Sequence, residues 1–243
     1  MSLLTALVLL TVQPASTASP VTHVTSKDGT SSDIRQGKDP LGDQLVTAMG
    51  LIKAGRSAEA IPVFDQIIAA EADRNRNEKR VIYSARSMTE AILYAGLGAS
   101  RKQSAVILDA TWSAALFGKG FALIDLSRPD DAKTYLDKAI QLAPMNSQYL
   151  AERGEWFKNR KDWANAYNDF QFAATAANFA PEQANSFEQR RAWRGMAYAR
   201  TEQGKLEEAR GLLEKCLKLD ANGAACQHEL SYVNGLSSKA HSR

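Results

Sequence analysis

The sequence predicts an all-α fold: an α-solenoid of stacked antiparallel helix pairs closed by a C-terminal capping helix. Three observations predict it. First, two stretches superimpose at an offset of 34 residues, so that Gly120, Ala132, Leu136 and Ala139 recur as Gly154, Ala166, Phe170 and Ala173. Second, the recurring residues are small where two helices must touch and large and apolar where a knob is needed, the pattern of helices that bury their faces only against neighbours. Third, no alternating apolar/polar run is flanked by hairpin turns, so essentially no sheet is expected.

The segment Ala132-x3-Leu136-x2-Ala139-x4-Pro144 resembles the second helix and exit turn of a tetratricopeptide repeat. The resemblance implies a right-handed solenoid whose units are helix pairs, and it assigns the chain in order. An opening unit lies near 41–74, with Ala48, Ala60, Phe64 and Ile67 at the contact positions. Pro62 falls near the start of its second helix, where a missing N–H costs little. Residues 75–112 resist alignment, because the offset puts Arg86 at a small-residue position and Lys102 at the knob. Ile92, Leu93, Ala95, Gly96 and Ala99 still form an apolar stripe, so this stretch is read as a degenerate helical pair. The units near 113–146 and 147–180 match best. A further unit near 190–223 carries Trp193, Ala197, Ala209, Leu213 and Cys216, after an insertion around Pro181 and Asn185 that calls for a longer helix or loop. Residues 224–236 read as the cap, with Cys226, Leu230, Tyr232 and Val233 apolar and Gln227, Glu229 and Ser231 polar. The solenoid as a whole covers 41–239. Trp163 and Trp193 are expected to supply buried area, provided each indole N–H finds a partner.

The N-terminus differs in kind. Leu3–Val12 is an apolar run too short to span a bilayer, and Ser16 and Ala18 place small residues before a cut at Ala18/Ser19. Residues 1–18 therefore read as a secretory signal peptide and the protein as periplasmic or secreted, although no Lys or Arg precedes the apolar run. Residues 19–40, rich in Ser, Thr and Asp, read as a mobile leader that buries too little to offset chain entropy.

Charge and composition exclude several classes. Net charge is +3, with acids and bases interspersed, which describes a solvated surface. The densest basic stretch, Arg74–Arg80, contains no aromatics and is flanked by Glu71 and Asp73, so nucleic-acid binding is not expected. His23, His228 and His241 lie in separate regions and supply no nucleophile–base pair. Cys216, Cys226 and His228 match no zinc spacing. Neither Glu152/Glu155 nor Glu207/Glu208 suggests more than a solvated helix face. No enzyme activity, metal or cofactor is expected.

What remains is a protein-interaction or scaffold module, with a cytoplasmic adaptor or an accessory subunit of an enzyme complex as the alternative. The resemblance places the first helix of each unit along a concave groove. Carried over, the inward face includes Phe117 and Phe121, then Gln148 and Glu155, then Arg191, Arg194 and Tyr198. Such a groove runs from an apolar to a basic end and suits a peptide with an apolar anchor and an acidic group, since arginine's planar fork binds both oxygens of a carboxylate. The lysine/asparagine clamp of chaperone-binding members is not matched, because Phe117 and Phe121 stand in the corresponding places. The competing reading packs the two phenylalanines against a neighbouring segment and pairs the arginines with Glu188 or Glu202. Finally, Cys216 and Cys226 lie symmetrically about the turn Asp220–Gly223, and a disulfide between them would pin the cap to the last unit if their Cα atoms come within about 4.4–6.8 Å.

Overall fold

One left-handed turn residue recurs through the molecule and marks out its repeats. Gly55, Ser127, Lys161 and Gly204 have φ of 72°, 58°, 59° and 75°. Each stands between two helices, and in each case the next amide reaches back to a carbonyl five residues earlier: Arg56 to Leu51, Arg128 to Leu123, Asp162 to Phe157 and Lys205 to Arg200. That bond closes the first helix and reverses the chain. The helices so joined are α1 (Gly42–Lys53) with α2 (Ser57–Arg74), α4 (Thr111–Asp125) with α5 (Pro129–Leu142), α6 (Ser147–Asn159) with α7 (Trp163–Ala176), and α8 (Glu182–Glu202) with α9 (Leu206–Leu219). These pairs fall near 41–74, 113–146, 147–180 and 190–223. The computed structural model describes residues 11–12, 21–37 and 39–241. Ten α-helices make up 70% of it and place it in the all-α repeat class. The chain divides into two compact units, 1–143 and 144–243.

In the first unit α2 packs on α1 and on α4 as if the chain ran straight from one helix pair to the next. Phe64 is the knob: it is fully buried among Ala48, Ala60, Ile67 and Ala115. Gly118 makes room for it, since a Cβ there would stand 2.4 Å from the Phe64 ring. Burying a phenylalanine side chain contributes about 1.5–3 kcal/mol, and only a glycine lets the facing backbone come this near.

Between α2 and α4 the structure departs from expectation. Residues 75–110 are not a degenerate helical pair but strand, helix, strand: β4 (Val81–Ser84), α3 (Met88–Ser100) and β5 (Ala105–Leu108). They join β2 (Val21–Thr25) and β3 (Ser31–Arg35), so the stretch expected to be a mobile leader contributes a hairpin. With the short β1 (Thr11–Val12), the sheet order is β1-β2-β3-β5-β4; β3 and β4 both run parallel to β5 and the other pairings are antiparallel. The expectation of essentially no sheet is corrected here. The inserted strands β4 and β5 are short, largely apolar runs rather than alternating ones, as buried parallel strands are, whereas β3 is polar and alternates in burial. Helix α3 covers one face, stacking Tyr94 on Tyr83 at 5.3 Å between ring centroids. Its buried stripe is Ala91, Tyr94, Ala95 and Gly98, whereas Ile92, expected inside, is 52% exposed. The expected signal-peptide residues, 1–18, lie outside the described residues except for β1.

In the second unit α7 packs on α6 and α8, and α9 on α8 and α10 (Ala224–His241). Phe170 is its knob: Cβ atoms at Gly154 and Gly195 would stand 3.0 and 2.4 Å from its ring. The insertion near Pro181 becomes a short 3-10 turn (Ala177–Phe179) and a long α8 that starts just after the proline, where Pro is tolerated. The cap α10 closes the core of Ala197, Ala209, Leu213 and Val233. Tyr232, assigned to the apolar side of the cap, is 58% exposed. Cys216 and Cys226 are joined as a disulfide with Cα atoms 6.3 Å apart.

Candidate functional site

The second unit carries a cavity of about 520 Å³ walled by α6, α8 and the first turns of α10. Its α8 wall follows from helical spacing: Arg191, Arg194 and Tyr198 are three and four residues apart and share a face with Phe187, Arg190 and Gly195. Helix α6 adds Glu155 and Lys158, and the turn into α10 adds Asp220, Asn222, Gly223, Ala224, Ala225, Cys226 and Glu229. Four of the sequence-predicted residues, Glu155, Arg191, Arg194 and Tyr198, therefore meet in one place.

Each arginine is held by an acid. Arg191 donates to Glu152 at 2.7 Å, and Glu152 is only 9% exposed. Arg194 donates through Nε and Nη2 to one oxygen of Glu229, at 3.0 and 2.6 Å. Arg190 donates to Asp220. The pairing partners are thus Glu152, Glu229 and Asp220 rather than Glu188 or Glu202. A guanidinium carries five N–H donors, so a single acid leaves donors on each arginine for a ligand while fixing its position. Lys158 pairs with Glu155 and lies 4.9 Å from the Tyr198 ring, which in turn sits 6.0 Å from Trp163. The cavity wall thus carries four cations against three acids.

The other predicted residues fall elsewhere. Gln148 is exposed and lines a smaller cavity of about 210 Å³ with Ser147, Phe187 and Arg191. Phe117 and Phe121 belong to the first unit, their rings 6.4 Å apart. Phe117 is 5% exposed and offers almost no surface as an apolar anchor, because it lies on the packed side of α4. Sequence reasoning missed Arg190, Lys158, Glu152 and Glu229 as part of the site. Arg190 was legible as the neighbour of Arg191; the acids, 39 and 35 residues from their arginines, were not.

The first unit also has candidate chemistry, and its geometry turns it toward structure. Lys119, 9% exposed, donates to Asp65 and, at 2.8 Å, to the Tyr135 hydroxyl beside a cavity of about 400 Å³. Burial pushes its pKa down, but the bonds to Asp65 and Tyr135 outweigh this and hold it above the usual lysine value. It is a fixed charge, not a neutral base. Glu71, 4% exposed at the end of α2, is raised to about 7 by burial and by the nearby Asp39 carboxylate, against the pull of Arg74. Its partners are all protein groups: Arg74, which also binds Asp39 at 2.9 Å, and the Asn75 amide. The first turn of α3, at the carboxyl ends of the parallel strands, is filled by its own capping box. There Ser87 Oγ accepts from the Glu90 amide at 3.2 Å and Glu90 accepts from the Arg86 amide at 2.7 Å. Within β3, Asp33 is pushed up by burial and pulled further down by Arg80 and His23. Among the described residues no group of three His, Cys, Asp or Glu is placed to hold a metal ion. No described helix is long and apolar enough to cross a membrane.

The fold and this site define a helix-pair repeat protein with a polar cavity at its last pair. Residues 113–146 and 191–222 match the family model described as tetratricopeptide repeat. The chain thus carries tetratricopeptide repeats in these two stretches. Solved structures share the fold at low identity. One, from the functional characterisation of pilF of Pseudomonas aeruginosa, aligns over 82% of this chain and 69% of its own with a TM-score of 0.57 and 14% identity. A Podosopora anserina structure of nearly identical TPR-like repeats aligns over 83% and 90%, with a TM-score of 0.55 and 16% identity. MamA from Desulfovibrio magneticus RS-1 aligns over 83% and 87%, with a TM-score of 0.53 and 16% identity. No curated protein matches the chain.

Proposed function

We propose that this protein is a non-enzymatic interaction module that docks an acidic peptide segment of a partner protein in the cavity between α6, α8 and α10. The carrying observation is the row Arg190, Arg191 and Arg194 on one cavity wall, each oriented by one acid. Charge-assisted bonds from a guanidinium to a carboxylate are among the stronger polar contacts, and pre-positioned arginines lose little freedom on binding. The tetratricopeptide repeats support protein binding as the general role. The mixed surface charge supports neither nucleic acid nor membrane as the partner.

The site of action in this reading is an oxidising compartment, periplasmic or extracellular, reached after loss of residues 1–18. Two features support it: the apolar Leu3–Val12 run followed by small residues, and the Cys216–Cys226 bond, a type of link rare in reducing cytosol. The test is capture from a cell-envelope fraction by the chain lacking residues 1–18, beside the same chain with Arg191→Ala and Arg194→Ala. The reading expects a partner retained by the first and lost from the second. Equal capture by both removes the arginine cavity from the function.

A further inference from the structure

A second cavity, of about 300 Å³, adjoins the arginine cavity and shares two of its wall residues, Tyr198 and Glu229. Its remaining walls are Ala197, Thr201 and Glu202 of α8, Leu213 of α9, and His228, Tyr232 and Val233 of α10. The floor is the apolar core: Ala197, Leu213 and Val233 are each at most 2% exposed. The rim holds two aromatic rings that the fold leaves in solvent, Tyr198 at 43% and Tyr232 at 58% exposed. The arginine row of the first cavity does not extend into it; its charged wall residues are Glu202 and the shared Glu229.

We infer that this second cavity is an apolar subsite for the same peptide whose carboxylate the arginines receive; the inference rests on the docking reading above. Its occupant is one aliphatic or aromatic side chain of that peptide. Continuity and charge argue for this. One wall passes from Arg190, Arg191 and Arg194 through Tyr198 to the apolar floor along α8, and on α10 it passes from Glu229 to Val233. A chain laid along it meets cations first and an apolar pocket next, and exposed aromatic rims with apolar floors are the usual anchor points of interfaces.

The geometry also sets the spacing. The lining residues of the two cavities centre about seven residues apart along α8 and about four to five apart along α10, or about 7–10 Å at the helical rise of about 1.5 Å per residue. An extended peptide advances about 3.3 Å per residue. The acidic and apolar residues of the ligand are therefore two or three positions apart. The cap helix, in this account, is a binding wall as well as a closure.

The test uses a phage-displayed library of random 12-residue peptides panned on the full chain, on its Tyr232→Ala variant and on the Arg191→Ala/Arg194→Ala variant. Circular dichroism checks that each is folded; Tyr232 is exposed, so its removal leaves the core intact. The expected result is enrichment of Asp or Glu with an aliphatic or aromatic residue two or three positions away. Tyr232→Ala abolishes the apolar preference and keeps the acidic one, and the arginine variant does the reverse. Replacing the apolar residue of the best peptide with Ser lowers affinity about tenfold or more. Acidic peptides with no apolar preference at that spacing, or a preference that survives Tyr232→Ala, overturn the subsite and leave the docking reading standing. No enrichment above the unpanned library overturns both.

Discussion

Helices α2 and α4 are separated in sequence by residues 75–110, whereas α7 and α8 are separated only by residues 177–181. Both pairs nevertheless pack through the same device, a fully buried phenylalanine seated against a glycine of the next first helix: Phe64 on Gly118 and Phe170 on Gly195, each 2.4 Å from where a Cβ would stand. The repeat is thus specified by a side-chain contact and not by the length of the connection. Loop-closure entropy rises only slowly with length, so a strand-helix-strand insertion that supplies its own core is tolerated between repeats.

Removing the knob gives the largest expected effect. Phe64→Ala and Phe170→Ala each cost about 3–5 kcal/mol, measured by urea denaturation. A much smaller cost for Phe64 would break the comparison, because it would mean that the insertion and not the knob holds α2 to α4. Next is the Cys216→Ser/Cys226→Ser variant. The bond closes a short loop, so its loss costs about 2–3 kcal/mol and falls on the second unit; hydrogen exchange confined to α9 and α10 reads this out.

Filling the glycine is next in size. Gly118→Ala and Gly195→Ala gain helix propensity of about 1 kcal/mol but overpack a buried ring, for a net loss of about 1–2 kcal/mol. Shortening the knob to Leu in the same chain should recover part of that loss, and a double-mutant cycle gives the coupling. The smallest effect sharpens the comparison among repeats. The shared turn is glycine in the first and last pairs but Ser127 and Lys161 in the middle two. A positive φ costs a residue with a Cβ about 1 kcal/mol, so Ser127→Gly and Lys161→Gly each raise stability by up to about that amount.

One pH effect separates the units. Glu71, near 4.5 when unfolded, is raised to about 7 in the folded first unit. Its contribution to stability is fully present below about pH 4.5 and is lost as pH rises toward 7, because over that window the unfolded chain ionises and the folded site resists. Glu71→Gln should flatten that slope in equilibrium unfolding followed from pH 4.5 to 8.

The repeats were legible in the sequence because their contacts leave a spaced trace: Gly120, Ala132, Leu136 and Ala139 recur 34 residues later. The inserted sheet was not, because Val81–Ser84 and Ala105–Leu108 are four-residue runs buried as parallel strands, and such runs lack the alternation that announces a half-exposed strand. The hairpin Val21–Arg35 hid behind its Ser, Thr and Asp content, which reads as leader until strands β3 and β5 pair. Part of the site was visible as Glu155 on one helix and Arg191, Arg194 and Tyr198 on one face of another. Glu152 and Glu229, which hold those arginines, come from other helices, and the assignment of Phe117 as an anchor failed because its face of α4 is packed.

The central claim, that the arginine wall of the last repeat receives a partner's carboxylate, is tested most directly by calorimetric titration of an enriched acidic peptide. It is run against the wild-type chain and the Arg191→Ala/Arg194→Ala variant, at low and at high salt. The account predicts an affinity that falls at least tenfold in the variant, and in wild type falls with added salt. An affinity unchanged by either would contradict it.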